Sequence, residues 1–151
     1  MRAVVQRVTR ASVSVEGTLI AAIDVGVLVL LGVAATDRPE DADRLAGRIA
    51  RLRIFPDDAG RFDRSVLDVT GEALVVSQFT LIADSERQKG TRPDFHRAAR
   101  PEVAEPIYLA FCDALGELGV SVQRGAFGAL MTVELVNDGP VTIVLDAGEL
   151  P

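Results

Sequence analysis

Apolar and polar residues alternate with a period of two around Val4, Gln6 and Val8, and again at Val13 and Val15. That spacing predicts a strand and then a hairpin, with Glu16-Gly17 as the turn before an apolar stretch at 19–23. Gly26 introduces the run Val27-Leu28-Val29-Leu30-Leu31-Gly32-Val33, which is too short and too bounded by glycine for a helix. It reads as a central strand buried on both faces. Next, Thr36 or Asp37 can cap a helix, Pro39 suits a first turn, and Ala42, Leu45, Ala46, Ile49 and Leu52 recur at helical spacing. A turn-rich stretch at 55–60 follows, and residues 73–79 read as a second buried strand. Strand, helix, strand predicts a crossover unit packed on a sheet.

Residues 82–101 show little periodicity, and a loop of that length inside a domain points to function. A second helix is predicted over 102–118, with Val103, Ile107, Ala110, Phe111, Ala114, Leu115 and Leu118 on one face and Gly119 as its stop. Cys112 lies beside that stripe and reads as a packing residue. Strands are predicted at 120–124, 130–136 and 141–146, the last two joined as a hairpin by Asn137-Asp138-Gly139-Pro140. The expected fold is a single α/β (α+β) domain over 1–151. Its core is a mixed, strongly curved, barrel-like sheet with two main helices, unlike a doubly wound nucleotide fold.

Composition narrows the function. Hydrophobic residues make up 48% and charged residues 25% of the chain, as in a globular protein. The N-terminal residues intersperse charge with short apolar stretches, unlike a signal peptide. The longest apolar run is far short of the ~20 residues that cross a bilayer. A cytoplasmic protein that does not engage membranes is therefore expected. One cysteine and one histidine exclude an intrachain disulfide and Cys/His zinc spacings, so no metal or other cofactor is expected. A net charge of −6 argues against coating nucleic acid through a general positive field. Local cations remain: Arg2, Arg7 and Arg10 near the start, and Arg87, Lys89, Arg92, Arg97 and Arg100 in the aperiodic segment. From charge alone they are equally ordinary solvated residues.

The chain has no P-loop, no G-x-G-x-x-G after a strand, no H-E-x-x-H and no G-x-S-x-G elbow. A Ser-His-Asp relay would depend on His96 alone, and a lone loop histidine is usually surface. Two segments stand out. In Ser77-Gln78-Phe79-Thr80-Leu81 a buried strand ends in three polar side chains around an aromatic one. Two readings stand: a strand end that presents N–H groups and hydroxyls to a ligand, or a strand fading into a loop with Phe79 filling the core. Asn137-Asp138-Gly139-Pro140-Val141-Thr142 is ordinary turn chemistry except for Pro140, which removes a ladder donor where a strand should begin.

Those two segments, at this separation, resemble the D-aminoacyl-tRNA deacylase family. The likeness runs end to end through Gln6-Arg7-Val8, Leu52-Arg53-Ile54-Phe55, Gly90 with Arg92-Pro93, and Phe127-Gly128 with Met131. Between Ala83-Asp84 and Lys89-Gly90 this chain holds about two more residues than the family pattern, and Asp94 stands where a serine is common.

The resemblance implies a homodimer with a shallow site at the subunit interface, where the 77–80 strand end faces a Gly-cis-Pro dipeptide from the other subunit. Carried over, Gly139 and Pro140 of one chain approach Phe79 and Thr80 of its partner and set chiral selectivity. The substrate is the aminoacyl-tRNA 3′ end, and the reaction is hydrolysis of the ester to a D-amino acid, with glycine also accepted. The backbone N–H groups of Phe79 and Thr80 stabilise the oxyanion, and the ribose 2′-OH acting through water handles the proton. Thr80 also reads as a covalent nucleophile, for which His96 is the one base available. Ser77, Gln78 and Met131 bind substrate, and Arg87, Lys89 and Arg92 meet acceptor-stem phosphates. Two rivals remain open: a non-catalytic module that binds the tRNA end or adenosine, and a histidine-dependent esterase of small molecules.

Overall fold

The computed structural model describes residues 1–89 and 91–148, the side chains of 85–89 excepted. Strand β1 (Arg2–Val15) is one unbroken element. Glu16 and Gly17, both at positive φ (50° and 78°), turn it into β2 (Thr18–Ile23) by the two-residue connection that matches strand twist. The apolar run becomes β3 (Gly26–Gly32), buried on both faces as its composition requires. Helix α1 (Pro39–Ala50) begins one residue later than the capping pattern predicts. Arg38 occupies the N-cap and its N–H donates to the Asp41 carboxylate at 2.9 Å. Neither Thr36 nor Asp37, the two predicted caps, fills that position, and Asp37 instead accepts the N–H of Ala34 at 2.6 Å.

A small hairpin, β4 (Phe55–Pro56) with β5 (Phe62–Arg64), precedes β6 (Glu72–Ser77). The second buried strand therefore ends two residues earlier than its apolar pattern suggests, and residues Phe79–Ile82 form a 3₁₀ turn. The segment expected to be one long loop contains a second hairpin, β7 (Asp84–Lys89) with β8 (Arg92–Asp94). Helix α2 (Pro101–Glu117) starts one residue early; it buries Ile107, Phe111, Cys112 and Leu115 but leaves Val103, expected on that face, exposed. The last strands are β9 (Ser121–Arg124) and β10 (Thr132–Asp146).

The main sheet has the order β10-β1-β3-β6-β9. β1 is its organiser: one edge pairs with β10 from Arg2↔Asp146 to Ser14↔Thr132, while the other pairs first with β3 and then with β2. β3, β6 and β9 run parallel, and each parallel step is made by a helix, α1 between β3 and β6 and α2 between β6 and β9. Both helices pack on the face carrying Val5, Val27, Val29, Leu31, Ala73 and Val75. Alternation sends Leu28, Leu74 and Val76 to the opposite face, where they meet Val8, Val13 and the β2 residues Ala21 and Ile23. β2 thus curls back over the sheet and gives the barrel-like curvature expected. Each fully buried Leu or Ile, such as Leu45 and Ile49 of α1, contributes about 1.5–3 kcal/mol by leaving water. Among the described residues no helix is long and apolar enough to cross a membrane.

The largest correction concerns residues 137–140. They do not join two strands as a hairpin. Residues on either side continue along the same strand, Asn137 pairing with Val8 and Thr142 with Gln6, so Asp138 to Val141 bulge out of one long β10.

Candidate active site

At the end of β6 the ladder to β3 closes with Ser77↔Leu31 and a last hydrogen bond from the Gln78 N–H to the Leu31 carbonyl, 2.8 Å. The chain then folds into the 3₁₀ turn, closed by the Leu81 N–H on the Gln78 carbonyl at 3.2 Å. This turn lies so close to β3 that a Cβ on Gly32 would stand 2.9 Å from the Gln78 carbonyl oxygen. The first N–H groups of such a turn have no carbonyl within the turn to bond. Among the described residues neither the Phe79 nor the Thr80 N–H meets an acceptor. Phe79 is 58% exposed and so does not fill the core; its ring packs edge to face on Phe95, centroids 5.1 Å apart. The Gln78 amide donates to the Thr80 hydroxyl.

Beside this strand end is a cavity of about 640 Å³. Ser77, Gln78 and Phe79 form one wall, Phe95 and residues 98–101 a second, and residues 127–131 a third. Tyr108 of α2 lines it from the helix side, its hydroxyl donating to the Val75 carbonyl at 2.8 Å and its ring tilted on Phe127 at 5.6 Å. Burial raises the Tyr108 phenol well above its ordinary value, so it serves as a fixed donor and not as a base. Leu130, at the rim, is 95% exposed. Burial likewise pushes the Cys112 thiol up to about 11, in keeping with a packing role.

The β10 bulge is built differently. Val141 N–H donates to the Asn137 side-chain oxygen at 2.9 Å, and Asn137 donates to the Thr142 hydroxyl at 3.0 Å. The Gly139-Pro140 peptide bond is cis, Gly139 has φ +132°, and both residues are exposed. Arg7, reaching across from β1 and only 8% exposed, fixes the bulge from behind. Its Nε donates to the Asp138 carbonyl at 3.0 Å and its Nη1 to the Ile54 carbonyl at 2.7 Å. A Cβ on Gly139 would stand 3.1 Å from Arg7 Nη2. The positive φ and this close approach together require glycine there.

Ser77, Gln78, Phe79 and Met131 therefore come together at one cavity. Thr80 adjoins it through Gln78, whereas Gly139 and Pro140 do not line it. Arg92 is exposed on β8. Gly90 and the side chains of Arg87 and Lys89 lie outside the described residues. His96 is bound at its Nδ1 to Asp94 Oδ1, 3.1 Å, stands 3.7 Å from Asp84 Oδ2, and does not line the cavity. Sequence reasoning missed Arg7 as a site residue. Its signal was there in Gln6-Arg7-Val8, a cation inside a strand whose neighbours are core, but the carbonyls that accept it lie far along the chain. Phe95 was missed too, hidden in a segment without periodicity.

A family model described as D-Tyr-tRNA(Tyr) deacylase matches residues 4–146. The chain is 59% identical over 148 residues to a D-aminoacyl-tRNA deacylase of Opitutus terrae, covering 97% of each chain. It is 52% identical over 151 residues to one of Thermus aquaticus, covering 100% of this chain and 98% of that one. Among solved structures, one described as c-Myc DNA Unwinding Element Binding Protein superposes with a TM-score of 0.86 at 45% identity, over 97% of this chain and 98% of the other. Another, described as a probable eukaryotic D-amino acid tRNA deacylase, shares the fold at a TM-score of 0.82 and 16% identity, over 95% and 97% of the two chains. With a match spanning nearly its whole length, the chain belongs to the D-Tyr-tRNA(Tyr) deacylase family.

Proposed function

We propose that this protein hydrolyses the ester between a D-amino acid and the 3′ adenosine of tRNA. Family membership carries the reaction class, and one observation carries its placement. Among the described residues the neighbouring Phe79 and Thr80 N–H groups meet no acceptor, and Phe79 lines an apolar cavity of about 640 Å³ that Thr80 adjoins through Gln78. Hydrolysis of an activated ester demands donors for the oxygen that becomes negative more than it demands a strong nucleophile. In this reading the cavity takes the terminal adenosine, with Ser77, Gln78 and Met131 contacting substrate, and the two N–H groups hold the oxyanion. The ribose 2′-OH, acting through water, handles the proton, and Thr80 supplies its N–H and not a covalent bond.

The exposed Gly139-Pro140 segment completes the site from a second copy of the chain, so the working unit is a homodimer with its sites at the subunit interface. Stiff main-chain atoms there occupy the direction an L side chain would take and leave D side chains free, which reads handedness without a shaped side-chain pocket. Glycine, with no side chain to exclude, is accepted. Arg87, Lys89 and Arg92 meet acceptor-stem phosphates, and the protein acts in the cytoplasm.

The test is deacylation of matched D- and L-tyrosyl-tRNA by the wild type and by Pro140→Ala. Selective cleavage of the D ester, with an L-to-D ratio that rises in the variant, supports the reading. Equal cleavage of both esters by the wild type, or binding without cleavage, sinks it.

A further inference from the structure

Strand β5 consists of Phe62, Asp63 and Arg64, all exposed, and Phe62 is 57% open to solvent. Its charged neighbours are accounted for. Asp63 pairs with Arg53 at 3.2 Å, Arg64 with Asp58 at 2.9 Å, and Arg61 with Asp57 at 2.8 Å across the turn. The β4–β5 hairpin thus ties itself together through ions, and an apolar ring on that surface has no part in it. What the ring does meet is Arg7, whose guanidinium carbon stands 5.6 Å from the Phe62 centroid.

The surroundings of that guanidinium show what the ring adds. Ile54, the residue before β4, accepts Nη1 through its carbonyl, and Asp138 accepts Nε through its carbonyl. The Asp138 carboxylate is also near, 3.4 Å from Nε, but it is half exposed and so screened by water. The β4–β5 hairpin and the residue leading into it therefore supply an aromatic face and a carbonyl to the same cation. A cation over an aromatic ring is held more strongly as water is kept away, and hydrogen bonds gain strength in the same measure.

We infer that Phe62 is a positioning residue. Its ring covers the Arg7 guanidinium, so that the bond from Arg7 to the Asp138 carbonyl keeps Gly139-Pro140 in one place, and the firmness of that hold sets how strongly L-amino acids are rejected. This rests on the proposed role of Gly139-Pro140 as the gauge of handedness. Phe62 touches neither substrate nor reacting atoms; it acts through Arg7. A π face is what the position demands, so tyrosine can replace phenylalanine and leucine cannot.

The experiment compares D- and L-tyrosyl-tRNA hydrolysis by the wild type, Phe62→Ala, Phe62→Leu, Phe62→Tyr and Pro140→Ala, with thermal unfolding and sedimentation measured on each. The L-to-D ratio rises about three- to tenfold in Phe62→Ala and Phe62→Leu, as expected for losing a partly shielded cation–ring contact. It returns to the wild-type value in Phe62→Tyr and rises further in Pro140→Ala. A wild-type ratio in Phe62→Ala, alongside a raised ratio in Pro140→Ala, overturns the inference and leaves the handedness gauge standing. An unchanged ratio in Pro140→Ala removes the gauge and this inference with it. Rescue by leucine as complete as by tyrosine reduces Phe62 to packing. A change in sedimentation of Phe62→Ala makes the ring a subunit contact, and either result also overturns the inference.

Discussion

Arg7 and Asp138 lie 131 positions apart in sequence, yet the Arg7 Nε donates to the Asp138 carbonyl at 3.0 Å. A buried cation on the first strand thereby holds the backbone of the exposed bulge in the last. The carbonyl oxygens of Ile54 and Asp138 both accept from this one side chain, so the bond matters for stability as well as for shape.

Arg7→Met keeps much of the side-chain volume but removes the donors. Leaving those carbonyls without a partner costs about 2 kcal/mol, which for a chain of this length lowers Tm by about 4–8 °C. The same variant hydrolyses L-tyrosyl-tRNA faster relative to the D ester. Calorimetry and paired deacylation assays check the two halves separately, and an unchanged L-to-D ratio would detach the bulge from selectivity.

Thr80→Ala deletes the hydroxyl and leaves the N–H. Single-turnover kcat should stay within about tenfold of wild type, whereas losing a covalent nucleophile costs on the order of 10⁴-fold or more. Rapid-quench measurements with D-tyrosyl-tRNA distinguish these outcomes directly.

Gly32→Ala places a methyl group 2.9 Å from the Gln78 carbonyl oxygen, against backbone and not against a yielding side chain. The 3₁₀ turn that carries Phe79 and Thr80 must move. Because misplacing catalytic donors by a fraction of an ångström is costly, kcat is expected to fall about tenfold or more, with the protein still folded by circular dichroism.

Arg92→Glu tests the phosphate contacts. Its effect should be a weaker Kd for tRNA that is alike for D- and L-charged forms, with the slope of log Kd against log salt reduced by about 1. A variant whose binding and salt slope match the wild type removes Arg92 from the interface.

The two chain-end partners Arg2 and Asp146 face each other across β1 and β10 with bonds of 2.8 and 2.9 Å. The hydrogen bond from Arg2 holds the Asp146 carboxyl below its ordinary value of 3.8. The depressed group stabilises the fold above its unfolded value, and that contribution disappears as pH falls through the folded one. Being partly exposed, the pair contributes under about 1 kcal/mol. The Tm gap between the wild type and Arg2→Gln should be widest near neutral pH and should narrow as acid protonates the Asp146 carboxylate; a gap that persists once that carboxylate is protonated assigns the loss to Arg2 packing instead.

Much of the architecture was legible locally. β3 and α1 declare themselves because a doubly buried strand and an amphipathic helix each impose a period on their own residues. The bulge did not, since Asn-Asp-Gly-Pro serves a hairpin and a bulge equally well. What decides between them is that Asn137 and Thr142 both pair with β1, a relation no neighbouring residue encodes. The β7–β8 hairpin pairs only with itself among the described residues, and its residues, Asp84-Ser85-Glu86-Arg87-Gln88-Lys89 and Arg92-Pro93-Asp94, carry no apolar alternation to read. Phe79 reads as the last residue of a strand because the apolar run Ala73-Leu74-Val75-Val76 lies just before it, but the ladder ends at Gln78. At the site, the Ser77 to Thr80 cluster stands out by its polarity, whereas in sequence nothing sets Arg7 apart from Arg2 and Arg10, because its carbonyl acceptors lie 47 and 131 positions away.

Because β1 pairs on both edges, sliding it by one residue would turn every side chain it carries to the opposite face. Arg7 would then point away from the bulge, and no change within residues 137–142 could retrieve it. On the proposed role of the Gly-Pro dipeptide, the register of β1 is therefore as much a determinant of stereochemical fidelity as that dipeptide, and insertions within β1 should be tolerated far less well than insertions in the turn at 57–60.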